Sequence, residues 1–215
     1  MFHLHRPKST TDKIIVLDLD NTLISTCSHM KKLKRLGIFE KDKHFPLRSR
    51  IYYFDYYEEG HYISMWGVMR PHMKEFLEFC FEYFEKVIVF SAGATKYVIE
   101  IVNFIFKDTH YPDEVYTRDH LDYDDDNRNK PLKDLGKLFE NKYPMERILI
   151  VDDNKKTYKR NPDNAIAISA YEPSSSLQDI MRNDDSLLKI MKWFQQKHVK
   201  ESDNVMKLSK QDIFI

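Results

Sequence analysis

Short runs of apolar residues, many of them β-branched, predict the buried strands of a sheet. They cover residues 14–17, 86–90, 147–151 and 165–168. Runs of this length without alternating polar positions are typical of strands that are covered on both faces. Apolar residues at helical spacing predict helices over residues 71–83, 95–106, 132–139 and 176–197. Because strands alternate with helices, the pattern indicates an α/β fold with a mostly parallel central sheet and helices on both faces.

A β-hairpin is predicted as a small insertion after the first strand. Residues 51–57 and 61–68 are rich in aromatic and β-branched side chains, and Glu58, Glu59 and Gly60 supply the turn between them. Residues 107–131 show no clear periodicity, so we expect that stretch to be mostly irregular.

Four aspartates lie close together within residues 122–126. Such a group hints at calcium, but the EF-hand pattern requires a Gly and a bidentate Glu at two later positions. Asn127 and Lys133 occupy those positions here. We therefore predict a solvated acidic loop.

Length and charge limit the class of protein. The chain of 215 residues suits one domain, which we divide into a flexible lead-in (1–12), the domain itself (13–197) and a C-terminal tail (198–215). The 34 basic and 34 acidic side chains leave a formal net charge of zero. This balance disfavours direct binding to nucleic acid or to an anionic membrane.

The sequence also bears on the compartment. No apolar run is long enough to cross a bilayer, and the first residues lack the apolar core of a signal peptide. Cys27 and Cys80 form neither a zinc-binding pattern nor a disulfide framework. We therefore expect a nuclear or cytoplasmic protein that is not associated with a membrane.

Polar side chains directly follow three of the predicted strands. Asp18 and Asp20 end the first, Ser91 the second, and Asp152 with Asp153 the third. The carboxyl ends of parallel strands meet at one edge of the sheet. Two carboxylates about 4 Å apart repel by roughly 4 kcal/mol at an effective dielectric constant near 20, so this edge is suited to hold a cation or to transfer protons. Taken alone, the first pair could instead be a polar turn that caps a helix.

A cluster of carboxylates with one lysine and a hydroxyl suits Mg²⁺, which prefers oxygen ligands. The same groups can hydrolyse a phosphate ester. An aspartate nucleophile divides the reaction into two easier steps, and a second carboxylic acid two residues further can protonate the leaving oxygen. Backbone N–H groups, the cation and the lysine would stabilise the phosphate oxygens.

The residues 18–23, Asp-Leu-Asp-Asn-Thr-Leu, resemble the DxDxT motif of haloacid dehalogenase-type phosphatases. The chain resembles more narrowly the FCP/SCP group, whose members act on the C-terminal domain of RNA polymerase II and related phosphoproteins. Further matching segments are residues 70–72, 90–93, 132–135, 151–153 and 161–166. The resemblance covers about residues 13–195 and implies a Rossmann-like three-layer sandwich.

The resemblance also implies roles for the acidic residues. Asp18 would be the nucleophile and Asp20 the general acid and base. Asp18, the backbone carbonyl of Asp20, and Asp153 would hold Mg²⁺, with Asp152 beside them.

Five other residues match family positions that contact the substrate. Thr22, Ser91 and Lys133 would contact phosphate, and Tyr97 and Arg118 would help to place the substrate peptide. In the alternatives without a functional role, Lys133 is a lysine on a helix surface, Tyr97 a core tyrosine and Arg118 a loop arginine. Ser91 departs from the family's usual Thr but keeps a hydroxyl, and the acidic stretch 122–126 is longer than the hairpin expected before the lysine.

These features predict a Mg²⁺-dependent protein serine/threonine phosphatase that forms an aspartyl-phosphate intermediate. The substrate would be a phosphoserine or phosphothreonine protein or peptide, such as the C-terminal domain of RNA polymerase II. One alternative is a catalytically weak binding module similar to a mitochondrial import receptor. The other is a nucleic-acid or small-molecule phosphatase of the same superfamily.

Overall fold

Strands and helices alternate along most of the chain. The structure is a computed structural model that describes residues 6, 8–39, 45–124, 127–173 and 176–215. The strands are β1 (Ile14–Leu17), β2 (Ile24–Cys27), β3 (Ile51–Glu58), β4 (His61–Met69), β5 (Lys86–Phe90), β6 (Glu114–Tyr116), β7 (Asp122–Asp124), β8 (Asn127–Leu132), β9 (Ile148–Asp152) and β10 (Ala165–Ala167). The α-helices are α1 (Met30–Leu36), α2 (Phe45–Arg48), α3 (Met73–Tyr83), α4 (Thr95–Ile105), α5 (Leu135–Leu138), α6 (Leu177–Ile180), α7 (Ser186–Phe194) and α8 (Lys197–Lys200).

A five-stranded parallel sheet lies at the centre, in the order β10-β9-β1-β5-β6. Strand β1 is fully covered, since Ile15 and Leu17 pack with residues of α3, α4 and α7 on one face. Ile14 and Val16 pack with Leu135 of α5 on the other face. Alternation of side chains along a strand produces these two core layers. The predicted three-layer α/β fold is confirmed.

The insertion is a three-stranded antiparallel sheet in the order β2-β4-β3. Its β3–β4 hairpin, which the sequence predicts, turns at Glu59 (φ 48°) and Gly60 (φ 84°). Two successive positive φ angles are typical of the turns whose twist matches the flanking strands. Strand β2 was not predicted because its four residues carry no extended apolar or alternating pattern.

The prediction that residues 107–131 are mostly irregular is wrong. Strand β6 forms the edge of the central sheet, and β7 pairs with β8 in a hairpin. The acidic side chains of β7 are not a freely solvated loop either, since Asp122 lies 2.6 Å from Arg160 and Asp124 pairs with Lys159. Strands β6 and β7, with three residues each, are too short to show periodicity, and β8 has no alternating apolar residues. Asp125 and Asp126 lie outside the described residues.

The single helix predicted over residues 176–197 is also wrong, because α6 and α7 are separate. Asp184 lies in the break and accepts hydrogen bonds of 3.1 and 2.9 Å from the guanidinium of Arg70. Arg70 is only 1% exposed, and a buried cation requires such a partner. The tertiary ion pair therefore overrides the helical periodicity. The helix predicted at residue 132 begins instead at Leu135, after the N-cap Asp134.

The core extends past the boundary that we predicted at residue 197. Val199, Val205 and Ile213 are buried in the same cluster as α3 and α7. The side-chain Nζ of Lys13 donates to the carbonyl of Lys200 at 2.8 Å. At the other end, Thr11 of the predicted lead-in donates its N–H to the carbonyl of Tyr83. Among the described helices, none has the length and apolar composition that crossing a bilayer requires.

Deleting residues 198–215 is expected to lower the free energy of unfolding by about 4 kcal/mol or more. Each buried apolar side chain contributes about 1.5–3 kcal/mol, reduced somewhat by compactness of the unfolded chain, and the deletion removes Val199, Val205 and Ile213 together. Urea titration followed by circular dichroism measures the change. Deleting only Ile215, which is 92% exposed, is the matched control. Equal midpoints for the two truncations would contradict the prediction.

Candidate active site

The carboxyl ends of β1, β5 and β9 surround a cavity of about 300 Å³. Its lining includes Asp18, Asp20, Ser91, Lys133, Asp152 and Asp153. The acids and Ser91 come from the ends of parallel strands or from the residues just after them, so the parallel topology brings together groups that are far apart in sequence. Lys133 instead follows the end of β8, in the separate β7–β8 hairpin. This is the edge of the sheet at which the sequence predicts the site.

Lys133 lies between two carboxylates. Its Nζ is 2.6 Å from Oδ1 of Asp18 and 2.7 Å from Oδ2 of Asp152. It is 1% exposed, so the alternative of a lysine on a helix surface is wrong. Its backbone is fixed as well, since its N–H donates to Thr157 and its carbonyl accepts from Asn161. Lys133 follows β8 and precedes α5, which directs the side chain inward.

The charges in this cluster shift one another's pKa values. Burial raises the pKa of Asp18 to about 7, and the charge of Asp152 adds to this effect while Lys133 opposes it. Burial alone would lower the pKa of Lys133, but the carboxylates of Asp18 and Asp152 outweigh it and raise the pKa. Lys133 is therefore a cation, and it stabilises the anionic form of Asp18.

Asp20 is held by a tyrosine. The hydroxyl of Tyr97 donates to Oδ1 of Asp20 at 2.5 Å. Burial raises the pKa of Asp20, although hydrogen bonds from Tyr97 and Thr26 lower it in part. A carboxyl group with a raised pKa keeps its proton to a higher pH than an ordinary aspartic acid, which suits a role in proton transfer.

Tyr97 itself is 8% exposed. Its ring packs against Phe54 and Tyr56, with ring centroids 6.1 and 6.2 Å away. The geometry favours a buried tyrosine that orients Asp20, and contact between Tyr97 and a substrate peptide stays a prediction.

The hydroxyl of Thr22 contacts two of the aspartates, one after β1 and one after β9. Its hydroxyl lies 2.9 Å from Oδ2 of Asp18 and 3.3 Å from Oδ1 of Asp153, and it accepts the N–H of Asp153. Thr22 has no exposed surface, so in this structure it orients the carboxylates, and its contact with phosphate stays a prediction.

Ser91 lines the cavity, and Arg118 contacts the turn that follows Ser91. Oγ of Ser91 accepts the N–H of Gly93 at 3.1 Å, which leaves the hydroxyl hydrogen for another acceptor such as phosphate. Arg118 is exposed, and its N–H donates to the carbonyl of Gly93 at 3.0 Å. This position is suited to contact a substrate that enters the cavity.

A group that can hold a metal is formed by Asp18, Asp152 and Asp153, whose carboxylate oxygens lie within 4.8 Å of one another. Burial, followed by the charge of Asp152, raises the pKa of Asp153. Three carboxylates beside one lysine leave negative charge that a divalent cation would neutralise, and an all-oxygen set fits Mg²⁺. The Asp20 carboxylate is outside this group and contacts Tyr97 instead, and a metal contact through the backbone carbonyl of Asp20 stays a prediction.

Sequence reasoning missed two residues that orient Asp152. Thr157 donates its hydroxyl to Oδ2 of Asp152 at 3.1 Å, and the N–H of Asn154 donates to Oδ1 at 2.7 Å. Both lie within five residues of Asp152, in the turn that follows β9. A polar turn directly after an acidic strand end is the signal that could have identified them.

The fold and this acidic site define a phosphatase domain of the haloacid dehalogenase type. Residues 13–207 match the family described as NLI interacting factor-like phosphatase, and the chain belongs to that family. It is 32% identical over 194 residues to the putative CTD phosphatase-like protein 355R of Invertebrate iridescent virus 3, covering 84% of this chain and 94% of that protein.

Other relatives are longer. The chain is 26% identical to the human carboxy-terminal domain RNA polymerase II polypeptide A small phosphatase 1, covering 75% of this chain but 53% of the human one. The solved structure of Fcp1, an essential RNA polymerase II CTD phosphatase, superposes with a TM-score of 0.62 at 20% identity, covering 76% of this chain and 43% of Fcp1. This chain therefore spans about half the length of these two relatives, and the likeness to Fcp1 shows the fold.

Proposed function

We propose that this chain is a Mg²⁺-dependent protein serine/threonine phosphatase that acts through an aspartyl-phosphate intermediate. The observation that carries the proposal is the placement of Asp18. Its carboxylate is buried, its two oxygens contact Lys133 and Thr22, and Asp20 lies two residues further with a raised pKa.

In the first step a carboxylate oxygen of Asp18 attacks the phosphorus of the phosphoester. Asp20 gives its proton to the leaving serine or threonine oxygen as the P–O bond breaks, and Asp18 carries the phosphoryl group. In the second step Asp20 takes a proton from water, which attacks phosphorus and releases phosphate and free Asp18.

Other groups stabilise the charge on the phosphoryl oxygens. Lys133, the hydroxyl of Ser91 and the N–H groups of the turn after β5 are the donors available at the cavity. Mg²⁺, held by Asp18, Asp153 and the backbone carbonyl of Asp20, with Asp152 beside them, would neutralise negative charge on the phosphate when bound.

The substrate class is argued from the relatives. Relatives of this chain are named as phosphatases of the RNA polymerase II C-terminal domain, so a phosphoserine or phosphothreonine peptide is the substrate that we propose. A formal net charge of zero disfavours nucleic acid. The paired acids Asp18 and Asp20 disfavour a binding module, which has no need of them. A nuclear or cytoplasmic location stays a prediction.

A phosphopeptide panel tests the proposal. Wild-type protein is expected to release phosphate from phosphoserine or phosphothreonine peptides with Mg²⁺, and removal of the metal with EDTA should abolish the release. Preference for nucleotides or sugar phosphates would favour the small-molecule alternative. Protein that is inert on every phosphate ester would contradict the proposed function.

Metal binding is measured separately by thermal shift. At about one hundred times the dissociation constant, a ligand adds about 2.7 kcal/mol to the free energy of unfolding, which raises Tm by about 5–10 °C for a chain of this size. Asp153→Asn is expected to remove most of that increase. Glu100→Gln, an exposed acid on α4, is the control that should keep it.

A further inference from the structure

A chain of three hydroxyl groups runs from the insertion sheet to Asp20. The hydroxyl of Tyr52 lies 2.6 Å from Oγ1 of Thr26, and Thr26 lies 2.8 Å from the hydroxyl of Tyr97. Tyr97 lies in turn 2.5 Å from Oδ1 of Asp20. The three groups come from β3, β2 and α4, so the insertion is connected directly to the proposed proton donor.

The hydroxyl of Tyr97 stands between two oxygen atoms. It is directed at Oδ1 of Asp20 and at Oγ1 of Thr26, and its single hydrogen serves these two acceptors. Thr26 is held in turn by its contact with the hydroxyl of Tyr52, in which either group can donate. The three hydroxyl groups are therefore connected in series, and hydrogen bonds arranged in series strengthen one another.

Gly67 makes this arrangement possible. In the insertion sheet it lies on β4, opposite Thr26 of β2 on one side and opposite Tyr52 of β3 on the other. A Cβ atom at Gly67 would collide with the ring and hydroxyl of Tyr52 and with the carbonyl of Ser25. A glycine inside a strand weakens the strand, and it marks a place where another group must approach closely. Here the group close to Gly67 is the Tyr52 hydroxyl, which contacts Thr26.

The ring of Tyr52 is fixed on its other sides. It is 1% exposed, and its centroid lies 5.4 Å from that of Phe104 on α4 and 6.3 Å from that of Phe54 on the same strand. A buried tyrosine hydroxyl needs a partner, and Thr26 is the partner that the sheet register provides.

We propose that Thr26 and Tyr52 are positioning residues that, together with Tyr97, fix the Asp20 carboxyl for proton transfer. This inference rests on the proposed function. Because Tyr97 donates to Oδ1, the neutral acid carries its proton on Oδ2. That proton passes to the ester oxygen as the P–O bond breaks and the bond from Asp18 to phosphorus forms, which leaves Asp20 ionised. Without the hydroxyl groups of Thr26 and Tyr52, the hydroxyl of Tyr97 can rotate about its C–O bond and donate to another acceptor. The Asp20 carboxyl then loses its fixed orientation.

A role in proton transfer predicts an effect that packing alone does not. Phenolate is a poor leaving group and needs the proton, whereas the more acidic p-nitrophenol leaves readily without it. Phenyl phosphate and p-nitrophenyl phosphate are nearly the same size, so loss of general packing would slow both substrates equally. The quantity to compare is kcat/KM, which includes phosphoryl transfer to Asp18 and excludes the later hydrolysis step.

The test compares Thr26→Val, which keeps the shape and removes the hydroxyl, with Thr26→Ser, which keeps the hydroxyl. General acid catalysis accelerates a reaction by about 10²–10⁴-fold. Loss of the fixed orientation of Asp20 is expected to reduce this acceleration by about a factor of ten. Thr26→Val should therefore lower kcat/KM about tenfold for phenyl phosphate and less than about threefold for p-nitrophenyl phosphate. Thr26→Ser should restore the phenyl phosphate rate. Ser25→Ala, on the neighbouring position of β2, is the control and should change neither rate.

Tyr52→Phe is the second variant, and it is used if Thr26→Val does not fold. It removes only the hydroxyl farthest from Asp20, so kcat/KM should fall about threefold more for phenyl phosphate than for p-nitrophenyl phosphate. Equal losses on both substrates, or no loss on either, would overturn the inference while leaving the proposed function intact. A wild-type protein that is inert on both substrates would overturn the proposed function itself.

Discussion

Asp18→Asn is expected to lower kcat/KM for phosphoester hydrolysis by about 10⁴-fold or more, because loss of a covalent nucleophile removes the main reaction path. The amide of Asn can occupy the same place between Lys133 and Thr22 but cannot attack phosphorus. Phosphate release from a phosphopeptide in Mg²⁺ measures the change. A variant that keeps more than about one hundredth of the wild-type rate would reject Asp18 as the nucleophile.

We also predict the thermal stability of Asp18→Asn. This measurement distinguishes a variant that has lost catalysis from one that no longer folds. The folded pKa of Asp18 is raised to about 7, above its ordinary value of about 4. An acid whose pKa is raised in the folded state destabilises the fold progressively as pH increases from the ordinary value to the folded one. Asn cannot ionise, so in EDTA at pH 8 Asp18→Asn should unfold at a temperature equal to or above that of wild type. At pH 4 this advantage should disappear.

Much of the site could be predicted from the sequence because each functional residue lies within a short, recognisable segment of the chain. Asp18 and Asp152 directly follow apolar β-branched runs, and the parallel topology then requires their strand ends to meet. Lys133 was identified by its family motif, although the helix that we predicted around it begins only at Leu135.

The rest depends on contacts that are distant in sequence. Nothing in the alternation of residues 176–197 shows that Arg70 requires Asp184, and this pair divides the predicted helix. The burial of Tyr97 depends on the rings of Phe54 and Tyr56 in the insertion. Sequence patterns identify the elements, whereas tertiary pairing decides where they end and which way a polar side chain points.

Lys133→Met is expected to lower the free energy of unfolding by about 3–5 kcal/mol, which is the effect of removing one partner from a buried ion pair. Met fills nearly the same volume, but Asp18 and Asp152 then lose the cation that lies 2.6 and 2.7 Å from them. Tm should fall by about 6–20 °C. Lys137→Met is the matched control, since that side chain is 69% exposed and pairs with Asp122 at the surface. Its cost should stay below about 1 kcal/mol.

The cause can be separated from simple loss of packing by two further measurements. Adding Asp152→Asn to Lys133→Met removes one of the stranded carboxylates and should recover part of the stability, which a double-mutant cycle quantifies. The destabilisation should also shrink as pH falls, because protonation of Asp18, whose pKa is raised to about 7, removes the repulsion between the two carboxylates that Lys133 otherwise offsets. A loss that is constant from pH 5 to pH 8 and unchanged by Asp152→Asn would mean that Lys133 contributes packing rather than charge. In that case the electrostatic role that we assign to it, in the fold and in stabilising anionic Asp18, would be wrong.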